Sequence, residues 1–154
     1  MIGVYALAVS RLRIVLGAVG AAFIGAGLAV GPLVHVPDVA FGSLDSLVDT
    51  TRLDVLNPAN GALWAGIGVA LVLTAVTTRA VRLVPRLAAA VALVALGVLL
   101  GPAIDVPTGP DQDGSFLIDD SPLGVFALNE GGLWVGLGLG LAVGAVSASR
   151  AARR

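Results

Sequence analysis

The stretch GGLWVGLGLGLAVGAVSAS, residues 131–149, decides the fold. It carries no charge over nineteen residues. A helix rising ~1.5 Å per residue needs about 20 residues, with a working range of ~17–25, to cross a ~30 Å hydrocarbon core. Gly132, Gly136, Gly140 and Gly144 recur every fourth position, which puts them on one stripe of that helix. Lipid supplies no hydrophobic drive between helices, so small residues on a stripe let a neighbouring backbone approach closely. The stretch therefore predicts a membrane-spanning helix packed through a glycine face. The same stripe would serve a helix of this chain or, alternatively, a subunit interface in a homo-oligomer.

Seventy residues earlier the signature returns. Gly61, Leu63, Trp64, Gly66, Gly68, Leu71, Ala75 and Val76 match Gly131, Leu133, Trp134, Gly136, Gly138, Leu141, Ala145 and Val146, eight identities in sixteen aligned positions. The motif GPLVHVP at 31–37 reappears as GPAIDVP at 101–107, at the same offset. Two further uncharged stretches, 14–37 and 87–104, precede these two, and the remaining one runs over 55–78. Prolines cluster at the ends of the stretches, where they suit helix boundaries. The expected helices are 12–34, 59–79, 84–104 and 130–150. Paired tryptophans and paired Gly-Pro motifs indicate a tandem repeat of two helical hairpins, repeat A over 11–80 and repeat B over 81–150, within one membrane domain of residues 1–154. Both copies enter from the same side, so the expected symmetry axis lies along the membrane normal. Gly27 with Gly31 and Gly97 with Gly101 supply further small-residue pairs near the outer ends of the first and third helices. The fold class is an all-α integral membrane protein with four transmembrane helices and two structured outer loops, 38–58 and 105–129.

Charge sets the orientation. Eight of the nine arginines, all but Arg52, lie before the first stretch, between the second and third, or after the fourth. All ten acids lie on the other side, from Asp38 to Asp54 and from Asp105 to Glu130. Basic residues in short flanks mark the cytoplasmic side, so a multi-pass protein of the cell membrane with both termini cytoplasmic is expected. The first thirteen residues are apolar before any arginine, the reverse of a secretory signal. They read as a short interfacial helix, or as an extension of the first span with Arg11 and Arg13 reaching back to head groups.

Composition excludes more chemistry than it suggests. Hydrophobic residues make up 57% and charged residues 12%, against ~25% charged in soluble domains. There is no cysteine, which removes disulfides and thiolate chemistry together. An ionisable group at hydrocarbon depth is a functional candidate by default, and the four stretches offer none for proton coupling. His35, the single histidine, reads as a boundary residue, since one imidazole without companions makes a poor metal site. Asp111, Asp113, Asp119 and Asp120 offer carboxylates near a turn but lack the twelve-residue calcium loop, and read as a solvated acidic face. Lysine is absent and aspartate abundant, a composition resembling that of salt-adapted archaea. Trp64 and Trp134 fit the head-group level as interface anchors. Apolar residues in both loops, among them Phe41, Leu44, Phe116 and Phe126, predict a cap folded over the outer ends of the helices.

These features point to a structural or accessory membrane subunit without catalytic chemistry, catalytic residues, metal or cofactor. The alternative is an oligomeric channel or facilitator for a small solute or ion. The expected partners are the lipid bilayer, a further copy or another membrane protein. Nucleic acid is excluded, because the arginines form no basic domain.

Overall fold

The computed structural model describes residues 2–31, 52–77, 83–101 and 122–152. They form four helices: α1 Ile2–Val30, α2 Gly61–Val76, α3 Leu83–Leu100 and α4 Gly131–Ala152. Two short 3-10 turns, Arg52–Leu56 and Pro122–Phe126, precede α2 and α4. Three helical segments are long and apolar enough to cross a membrane: Ser10–Val30, Leu83–Leu100 and Gly131–Ala152. The fourth apolar helix, α2, has 16 residues and a length of about 24 Å. It stops short of the 59–79 expected from the sequence.

The N-terminal segment joins α1 without a break, which corrects the reading of a separate interfacial helix. No proline falls between Ile2 and Val30, and the helical backbone bonds propagate through Arg11 and Arg13. At its other end α1 stops at Val30 rather than near 34. Gly31 turns to a left-handed φ of 79°, a conformation glycine adopts without penalty, and Pro32 follows with no N–H to continue the helix. Gly101 does the same after α3, at φ 74°.

The helices pack in the order α1, α2, α4, α3, with α2 and α4 at the centre. α2 and α4 bury residues on nearly every turn, whereas α3 buries only Ala90 and Gly97. The flanks of the outer helices are apolar and open: Ile14, Val84, Val91 and Leu99 are each about two-thirds exposed or more. Such a surface suits hydrocarbon rather than water.

The 3-10 turns bind the two hairpins to each other at one end. Val55 is fully buried with Leu63 and Val135, and Val98 packs against that cluster. Val125 is fully buried with Ala62, Ala65 and Leu133, against Leu28 and Phe126. Each turn thus reaches across to the opposite hairpin. Phe41, Leu44 and Phe116 of the expected cap lie outside the described residues.

Candidate functional site: the seam between α2 and α4

The centre of the molecule is a contact between two parallel helices in matching register. A Cβ at Gly136 would overlap the Leu63 carbonyl oxygen and lie 2.9 Å from the Ile67 nitrogen and 3.0 Å from the Gly66 Cα. One at Gly66 would overlap the Leu133 carbonyl and lie 3.0 Å from the Gly136 Cα. Further along, Gly140 faces Ile67 and Ala70, and Gly144 faces the Thr74 side chain. Gly132 faces the Asn60 amide. Partners in three of these contacts, 66 with 136, 70 with 140 and 74 with 144, differ by 70 in number. Positions of α2 and α4 that lie 70 apart in the sequence therefore meet each other.

The contacts within each hairpin use other glycines. A Cβ at Gly27 would stand 2.6 Å from the Gly61 carbonyl oxygen, and one at Gly97 would overlap that of Gly131. Gly20 and Gly68 meet reciprocally between α1 and α2, and Gly138 meets Ala90 between α4 and α3. Gly20, Gly61, Gly68, Gly131 and Gly138 escape a reading along one sequence at intervals of four, because they pair only once an antiparallel hairpin is assumed. Gly31 and Gly101 have nothing within 4 Å of a Cβ position. They cap their helices instead, and their carbonyls accept from the Gly61 and Gly131 N–H groups, each at 3.0 Å.

Three polar side chains are buried among the described residues: Asn60, Thr74 and Glu130. Thr74 Oγ1 donates back to the Ala70 carbonyl at 2.8 Å, so its hydroxyl is consumed within its own helix. Asn60 caps α2, its Oδ1 accepting from the Ala62 N–H at 3.0 Å, while its Nδ2 is buried with no hydrogen-bond partner. Glu130 stands at the equivalent position before α4 and is 2% exposed. It directly precedes Gly131, the first residue of α4, where the helix N-terminus offers a carboxylate a favourable field.

Trp64 and Trp134 are partly buried in the first turns of α2 and α4. The Trp64 Nε1–H donates to the Pro58 carbonyl at 2.7 Å, and that of Trp134 to the Leu128 carbonyl at 2.8 Å. Both tie the incoming chain to the helix it starts. Phe23 of α1 stacks on Trp64 with centroids 5.5 Å apart. An open apolar groove of about 410 Å³ runs beside this pair, lined by Ala22, Ala26, Val30 and Pro58 as well.

At the opposite end, Arg13 Nε donates to the Ala75 carbonyl at 2.8 Å and its Nη2 to that of Val76 at 3.2 Å. These carbonyls belong to the last turn of α2, where a cation complements the helix dipole. Arg86 Nη2 reaches the Thr77 carbonyl at 3.4 Å. No group of three or more His, Cys, Asp or Glu side chains that could hold a metal occurs among the described residues. His35 and the aspartates at 105, 111, 113, 119 and 120 lie outside them. In comparisons with known proteins, no family model, no curated protein and no solved structure matches the chain.

Proposed function

We propose that the chain is a four-span bundle formed by tandem duplication of a helical hairpin, and that it serves as a non-catalytic structural or accessory subunit of a membrane. The duplication reading is supported by features that recur at an offset of 70: the left-handed glycines at 31 and 101, the 3-10 turns at 52–56 and 122–126, and the indole bonds of Trp64 and Trp134. α2 joins the spanning set despite its 16 residues. Its carbonyl end is met by Arg13, which satisfies orphan acceptors that hydrocarbon could not.

The observation that carries the functional reading is the closure of the α2–α4 seam. At Gly66 and Gly136 the two backbones approach until a methyl group would overlap a carbonyl oxygen. A solute path through a bundle needs a water-filled or polar lining, and this seam has neither space nor free polar groups at its middle. The α4 glycine stripe faces α2 of the same chain, so a contact with another copy or a partner would use the apolar flanks of α1 and α3.

Native mass spectrometry after gentle extraction tests this reading. A complex with a second copy or another membrane protein is expected. A solitary monomer under all mild conditions, or solute flux in vesicles carrying the purified chain, would overturn it in favour of a facilitator.

A further inference from the structure

We propose that the chain fits a thin bilayer, its apolar belt matching fluid lipids with short acyl chains rather than a hydrocarbon core of the common ~30 Å. The inference rests on the membrane-spanning reading above and names the lipid that this reading requires.

Each helix falls short of such a core. α2 has 16 residues and α3 has 18, about 24 and 27 Å at ~1.5 Å per residue. α1 and α4 are longer, but arginines interrupt them. Between Arg13 and the end of α1 lie the seventeen uncharged residues 14–30, about 26 Å. Before Arg150, α4 offers the nineteen uncharged residues 131–149, about 28 Å. Any tilt shortens all four projections further.

Arginine can lengthen an apolar belt by snorkelling, with its stem in hydrocarbon and its head outside. Arg13 and Arg86 are held otherwise. Arg13 donates to the carbonyls of Ala75 and Val76, and Arg86 to that of Thr77. Both guanidiniums are thereby kept level with the end of α2.

The 3-10 turns limit the belt at the other end. They pack beside the helices rather than beyond them: Val55 lies against Leu63 and Val135, and Val125 against Ala62, Ala65 and Leu133. Leu53 and Leu123 in these turns are 63% and 68% exposed, so protein does not enclose them. Lipid-exposed backbone outside a helix is not tolerated within hydrocarbon, which places the edge of the core inward of Leu63 and Leu133. Residues 64–76 and 134–146 remain, thirteen on each helix, about 20 Å. Trp64 and Trp134 stand at that edge, where indoles suit the interface. The belt is therefore about 20–28 Å high.

Reconstitution of the full chain into vesicles of dimyristoleoyl-, dipalmitoleoyl-, dioleoyl- or dierucoylphosphatidylcholine, which share one head group, tests the fit. The thermal unfolding midpoint should be highest in one of the two shorter lipids. It should fall by roughly 5 °C or more in dierucoylphosphatidylcholine. A flat series, or a maximum in either of the two longer lipids, would overturn the proposal. Flotation of the same vesicles separates the two readings. Failure to incorporate into any of them would sink the membrane reading itself, whereas incorporation without a short-chain maximum would sink only the thin-bilayer fit.

Discussion

Two glycines of this chain separate packing from mere composition. Gly136 has backbone atoms of α2 where its Cβ would be, whereas Gly25 has nothing within 4 Å. Backbone cannot swing aside as a side chain can, so Gly136→Ala must separate the helices. Overpacking of this kind costs about 1–3 kcal/mol. Gly25→Ala meets open surroundings and removes a residue that is unfavourable in a helix by about 0.5–1 kcal/mol. The two variants should therefore shift thermal stability in detergent in opposite directions, and equal behaviour would deny the seam its packing role. The period of four in α4 singles out Gly136 in the sequence. Gly31 and Gly101 misled the same reasoning, because a small-xxx-small spacing cannot distinguish a packing glycine from a left-handed cap. The following proline in each Gly-Pro pair was the signal that could have told them apart.

The starts of α2 and α4 show what an element adds beyond its residues. Helix existence was legible from uninterrupted apolar stretches, but the expected ends at 34 and 104 overran the Gly-Pro pairs, where α1 and α3 stop at Val30 and Leu100. The burial of Asn60 and Glu130 was not legible. An acid beside a long polar loop reads as solvated, and packing between the starts of α2 and α4, where Asn60 lies against Gly132, is invisible along one sequence. Asn60 and Asp are comparable N-caps by propensity alone, so Asn60→Asp should be neutral if the cap were an isolated surface feature. In this fold the new carboxylate would be fully buried against Gly132, two residues along from Glu130. The Ala62 N–H alone would face it, and a buried charge so sparsely compensated is disfavoured. The expected loss exceeds the ~1 kcal/mol typical of a missing cap, while Asn60→Ser, which keeps a capping oxygen without charge, should lose less. Denaturation of the three proteins in one detergent at neutral pH decides the order. A neutral Asn60→Asp would show that the helix starts are open to water.

At the scale of the whole molecule, the packing order places both Trp64 and Trp134 at one end and Arg13, Arg86 and Arg150 toward the other, since α2 and α4 run parallel with α1 and α3 antiparallel to them. That geometry aligns the charge asymmetry of the sequence with the long axis of the bundle. Translocation retains arginine-rich short flanks on the cytoplasmic side, so the arginine end should face inward and the ends carrying the tryptophans outward. Single cysteines test this cleanly, because the chain has none of its own. Probes replacing Ser46 and Ser115, in the two long connections, should react with a membrane-impermeant maleimide in intact cells. Probes replacing Ala80 and Ala151 should react only after permeabilisation. The alternation also tests the count of spans: were α2 not to cross, Ser46 and Ala80 would share one side and respond alike. Labelling of Ala80 and Ala151 in intact cells, with Ser46 and Ser115 silent, would invert the topology and place the Arg13 and Arg86 end of the bundle outside.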